Sequence, residues 1–116
     1  MLREPLRQIL SKENVRDLTE ELTQLLENIA KTYKPLKIVI TGSLAEDKFV
    51  RGLSDIDVLV VVKEMRENME RFLMHSIKDV DVEITIVSEK ELEEAIKRGN
   101  EFYIQAIEKG IVVYTS

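Results

Sequence analysis

Two short stretches hold the side chains best suited to reactive chemistry: Thr41-Gly42-Ser43-Leu44-Ala45-Glu46 and Asp55-Ile56-Asp57, with eleven residues between Ser43 and Asp55. A glycine beside a hydroxyl at the start of a turn leaves backbone N–H groups open to the oxygens of an anion such as phosphate. Asp55 and Asp57 lead into the aliphatic run Val58-Leu59-Val60-Val61-Val62, which reads as a buried strand. Side chains alternate along a strand, so the two carboxylates share one face, roughly 7 Å apart, and can converge on one hard cation. Further on, Asp81, Glu83 and Thr85 share a face opposite Val82, Ile84 and Ile86. If that strand lies beside the first, a spacing of about 4.8 Å brings Glu83 or Asp81 within reach of the Asp pair. Three carboxylates on one sheet face would make a site for one or two Mg²⁺ ions.

Plainer readings stand beside these. Acids at a strand entrance often belong to a solvated turn, and Asp81 and Glu83 taken alone fit that description. Ser43 and Glu46 have capping-box spacing, so Ser43 can equally serve the first amides of a short helix. Lys48 and Arg51 are able to neutralise a phosphate, but loop cations are commonly just hydrated. His75 reads as the end of a helix, where a cation offsets the macrodipole, and without a second His or Cys near it a zinc site is not expected. The tyrosines and phenylalanines fall on apolar faces or element ends and read as core or interface.

Several elements must position these residues. Leu2, Leu6, Ile9 and Leu10, with Pro5 in a first turn, fit a short helix over 2–10. Apolar positions from Val15 to Tyr33 advance by three or four, predicting a helix over 14–33 that Pro35 stops. Strands are expected over 36–41, 56–62, 80–87 and 111–114. Met65, Met69, Phe72 and Leu73 predict a helix over 64–75, Ser88 to Glu91 a capping box opening another, and residues 102–109 a last helix. The first two strands are joined by a loop too irregular for an ordinary crossover helix. The expected fold is therefore α/β (α+β): a mixed sheet of about four strands with helices packed mainly on one face.

At 116 residues the chain fits a single domain, 1–116, with one core and no room for a separate substrate domain. Hydrophobic residues at 44% and charged residues at 34% exclude a disordered class, and no apolar run approaches the roughly 20 residues of a membrane span. A net charge of −5 without a basic run argues against general nucleic-acid binding. The absence of cysteine and of a signal-like start leads to an expected cytoplasmic location. The order of acids and strand separates the chain from Asp-x-Asp enzymes whose strand precedes the acids, and neither common glycine-rich nucleotide fingerprint is present.

Gly42-Ser43, a gap, then Ser54-Asp55-Ile56-Asp57 entering a strand, with a third acid on a later strand, resembles the DNA polymerase β-like nucleotidyltransferase superfamily, in particular its minimal nucleotidyltransferases. The resemblance runs from the helix before Lys37 to Tyr114. It implies a polymerase β-like core in which Gly42 and Ser43 hold the β/γ phosphates of an NTP, in the first instance ATP. Asp55 and Asp57 would bind metal, and Glu83, or Asp81 in its place, would be the third metal-binding and catalytic acid. It further implies two Mg²⁺ ions and a hydroxyl acceptor, such as a tyrosine of a partner protein. The partner would be a helical HEPN-type subunit, with this chain as antitoxin, or a second copy of the chain. Where many members carry Arg and Gly, this chain has Glu46 and Asp47, adding negative charge beside the phosphate turn. A second hypothesis keeps the fold without the activity, as a silent module acting on a partner by contact.

Overall fold

The computed structural model describes residues 2–116. In chain order the elements are α1 (Glu4–Ile9), a single 3-10 turn (Arg16–Leu18), α2 (Thr19–Tyr33), β1 (Lys37–Thr41), β2 (Ile56–Val62), β3 (Phe72–Ile77), β4 (Val80–Ser88), α3 (Glu89–Lys97), α4 (Glu101–Lys109) and β5 (Ile111–Thr115). The strands form one five-stranded sheet in the order β3-β4-β2-β1-β5. It is mixed: β2 and β4 run parallel, and the β1–β2, β1–β5 and β3–β4 pairs are antiparallel.

Alternation along the strands divides the molecule into two cores. Ile56, Val58, Val60 and Val62 of β2, with Val82, Ile84 and Ile86 of β4, bury one face under Leu18, Leu22 and Leu26 of the first helical layer. Leu59 and Val61 turn to the other face, where they pack with Val39, Val87, Leu92 and Ala106 beneath α3 and α4. The first core is the larger, and helices pack on both faces, α1 and α2 over the first core and α3 and α4 over the second. On the second face α3 packs against β4 and β2 and α4 against β1, and the first residues of α4 border the strand positions of Asp57, Glu83 and Met74, which stay partly or largely exposed. No helix among the described residues is long and apolar enough to cross a membrane.

Local chemistry explains the boundaries. The α2 helix stops where Lys34 turns left-handed at φ 46°, its N–H bonded to the Ala30 carbonyl, just before Pro35. Its start falls later than the apolar spacing predicts. The Asn14 carbonyl accepts from Arg51 Nη1 at 2.7 Å and the Asn14 side chain donates to the Phe49 carbonyl at 3.0 Å, so tertiary bonds hold that segment out of the helix. At the start of α3 the predicted capping box is present: Ser88 Oγ accepts from Glu91 N–H at 3.1 Å and the Glu91 carboxylate accepts from Ser88 N–H at 3.2 Å.

The helix expected over 64–75 is corrected to a loop followed by β3. Ile77 pairs with Val80 across a two-residue turn at Lys78 and Asp79, with Lys78 at φ 54°. Four apolar residues at helical spacing suit that segment, but a strand covers the otherwise open edge of β4 and pairs its backbone groups. His75 accordingly lies exposed on β3 opposite Val82, and has no helix dipole to offset.

Candidate active site

Hydrogen-bonded registers place a row of side chains across four strands of the second face. Met74 of β3 stands opposite Glu83 of β4, Glu83 opposite Asp57 of β2, and Asp57 opposite Thr41 of β1. Gly42 follows Thr41 directly, at φ 75°. A Cβ at Gly42 would lie 2.3 Å from Asp57 Oδ2, so a side chain there would turn the carboxylate out of its place and would also sit at a strained positive φ. The glycine thus lets the turn close against Asp57.

The turn itself is wound like one turn of helix. Glu46 N–H donates to the Gly42 carbonyl at 3.1 Å and Lys48 N–H to the Ser43 carbonyl at 2.8 Å, while buried Leu44 anchors it in the larger core. Asp47, at φ 61°, ends it and pairs with Lys12. The Glu46 carboxylate faces Lys48 at 3.8 Å and Lys109 at 4.0 Å, and among the described residues no hydrogen bond closes the predicted capping box with Ser43. The negative charge that Glu46 brings to the turn is therefore partly offset by two lysines.

The carboxylates are not equivalent. Asp57 is half-buried, and its carboxyl is pushed up to about 7, first by burial, then by the Glu83 carboxyl within hydrogen-bonding reach, and then by the charges of Glu83 and Asp55. Asp55 is exposed at the entrance of β2. Asp81 stands opposite Ser76 and accepts a hydrogen bond from its Oγ at 3.1 Å, while Glu83 stands opposite Asp57. Such a concentration of hard oxygen donors and unrelieved negative charge fits a divalent cation in chemistry. Among the described residues no three acidic or histidine side chains already form a metal-holding cluster. Asp57 and Glu83 make the gathered pair, and Asp55 stands outside it.

Two hollows flank Asp57 and share it and Phe102 as walls. One, of about 310 Å³, is lined by Thr41, Gly42, Glu46, Asp57, Glu101, Phe102 and Gln105. Ser43, half-buried, is next along the turn and is not part of that wall. The other is a cleft of about 480 Å³ between β3 and α4, with Phe72, Leu73, Met74, Phe102 and Tyr103 around Asp57 and Glu83 and with Asn100 and Thr85 as further polar groups. Phe72 and Phe102 are thus not core residues: they are 73% and 44% exposed, and Met74 is 60% exposed. Helical spacing places Phe72 on a helix, and residues 72–77, Phe-Leu-Met-His-Ser-Ile, show no apolar–polar alternation that marks a strand, so the sequence holds no local signal for this wall.

Arg51 is occupied by structure. Its guanidinium bonds Asp17 at 2.8 and 3.0 Å, Asp79 at 2.7–3.2 Å and the Asn14 carbonyl at 2.7 Å, tying the loop before Asp55 to the 3-10 turn that precedes α2 and to the β3–β4 turn. These bonds hold Asp17 and Asp79 below the usual carboxylate range and raise Arg51 further.

A glycine turn beside paired carboxylates brings together groups able to receive phosphate oxygens and a divalent cation. Residues 22–113 match the nucleotidyltransferase domain, and the chain belongs to that family. The fold is similar to the crystal structure of a nucleotidyltransferase-like protein from Exiguobacterium sibiricum 255-15 (TM-score 0.63, 14% identity, 84% of this chain and 33% of that one). It is also similar to that of a proposed nucleotidyltransferase from Sulfolobus solfataricus (TM-score 0.55, 18% identity, 89% of this chain and 85% of that one). At these identities the likenesses establish the fold, and this chain spans a third of the Exiguobacterium protein. No curated protein matches the chain in sequence. The family supports nucleotidyl transfer as the general class of chemistry.

Proposed function

We propose that the protein transfers a nucleoside monophosphate from an NTP, ATP in the first instance, to a hydroxyl acceptor. The observation that carries this reading is the Asp57 carboxylate held between Gly42 on one side and Glu83 on the other. Gly42 and Ser43 would receive the β/γ phosphates, which sets the α-phosphorus over Asp57 and Glu83. Asp57, Glu83 and Asp55 would hold Mg²⁺, with Asp55 drawn in from its exposed position. Bound there, magnesium would supply positive charge for the entering and departing oxygens. The acceptor oxygen bonds to the α-phosphorus, the bond to the bridging oxygen breaks, and pyrophosphate leaves. Glu83, beside the reacting centre, takes the hydroxyl proton.

The acceptor we assign is a protein hydroxyl, such as a tyrosine of a helical HEPN-type partner or of a second copy, in a cytoplasmic toxin–antitoxin setting, as the family resemblance implies. The test is incubation of the protein with α-labelled ATP, Mg²⁺ and the product of a neighbouring gene. Label should move to protein with the wild type and not with D55N/D57N; equal labelling with the double variant would overturn the assignment. One observation favours the silent-module alternative: Glu46, Asp57 and Glu101 all line the Gly42 hollow, and their charge opposes a triphosphate. Failure of the folded wild type to bind Mg²⁺–ATP would select it.

A further inference from the structure

Two hollows that meet at Asp57 differ in chemistry. The one beside Gly42 is the smaller and is bordered mainly by acidic and other polar residues, whereas the cleft between β3 and α4 is walled by aromatic and sulfur-bearing side chains. Its volume of about 480 Å³ lies within the range of roughly 300–1,000 Å³ typical of small-ligand sites. Phe72 and Met74 keep most of their surface in water although apolar partners are close by, and Phe102 meets Tyr103 edge to face at 5.1 Å.

We propose that this cleft binds the base of the nucleotide whose phosphates lie at Gly42, with Phe102 as the wall between base and phosphates and with Phe72 and Met74 as the opposite wall. The inference rests on the nucleotidyltransferase reading above. Its geometric basis is the row Met74–Glu83–Asp57–Thr41, which crosses three strand spacings, about 14 Å in all. That span is comparable with an extended nucleoside triphosphate. Phosphates at the Gly42 end put the reacting phosphorus at Asp57 and Glu83, and the remaining part of the molecule then falls between Phe72, Met74 and Phe102. A flat, weakly polar base suits such walls through stacking and sulfur contact. Asn100 and Thr85 offer polar groups to its edge. The acceptor would approach over exposed Asp55 and Asp81.

Calorimetric titration with Mg²⁺–ATP and with Mg²⁺–tripolyphosphate separates base from phosphate. The wild type is expected to bind ATP roughly tenfold or more tighter than tripolyphosphate. F72A/M74A, which alters exposed side chains, should weaken ATP about fivefold or more and leave tripolyphosphate unchanged, and F102L should act in the same direction. Equal affinity for the two ligands, or unchanged ATP affinity in F72A/M74A, would overturn the inference and give the cleft to the acceptor. If the wild type binds neither ligand, the nucleotidyltransferase reading fails and takes the inference with it.

Discussion

Gly42 and Asp57 are best understood as one unit, because the space a Cβ would need at Gly42 is filled by the Asp57 carboxylate. G42A meets that overlap and a positive φ together, so it should cost about 2 kcal/mol or more of stability and remove nucleotide binding; thermal melts and titration check both. The raised Asp57 carboxyl has a consequence for pH. With a folded value of about 7 against 3.8 for the free group, the folded state holds the proton more tightly. Its contribution to stability is therefore fully present below about pH 4 and lost as pH rises through about 7. Asp17, Asp79 and Glu91 are lowered and act oppositely, losing their contributions as pH falls towards the acid range. Comparing D57N with the wild type isolates the Asp57 effect. Without divalent cation D57N should be the more stable at pH 8, by about 1–2 kcal/mol after solvent screening, and the advantage should vanish near pH 4. Denaturant titrations at both values measure it.

The loop from Thr41 to Asp55 is fastened at both ends, by Leu44 in the core and by Arg51 between Asp17 and Asp79. R51A should speed hydrogen exchange across residues 49–55 while leaving the middle of α2 protected, and R51K should restore part of the protection because one ammonium cannot replace the forked contacts. Much of this arrangement is legible in the sequence. The alternation of β2 and β4 put Asp57 and Glu83 on one face, and the Ser88 capping box marked α3. The β3 strand was not legible, because Met65, Met69, Phe72 and Leu73 satisfy helical spacing and the Lys78-Asp79 turn lacks the Asn-Gly signature of a tight hairpin. What selects the strand is the unpaired edge of β4, a tertiary fact with no local signal. That Glu83 rather than Asp81 stands opposite Asp57 also required the register, and so did the cleft walls Phe72 and Met74.

Across the whole molecule, helices pack on both faces of the sheet, and the paired acids stay partly or largely exposed at one corner of the second face. The larger core beneath α2 sustains the fold without help from that corner, so D55N/D57N should keep its cooperative melt. Nucleotide affinity should by contrast collapse, and S43A should weaken triphosphate binding more than it lowers Tm. The most direct measurement of the central claim is Mg²⁺–ATP titration of wild type and D55N/D57N, both shown to be folded. Saturable, magnesium-dependent binding to the wild type and a loss of about a hundredfold or more in the double variant are expected. Equal binding by the two proteins, or binding by the wild type that persists after magnesium is chelated, would contradict it.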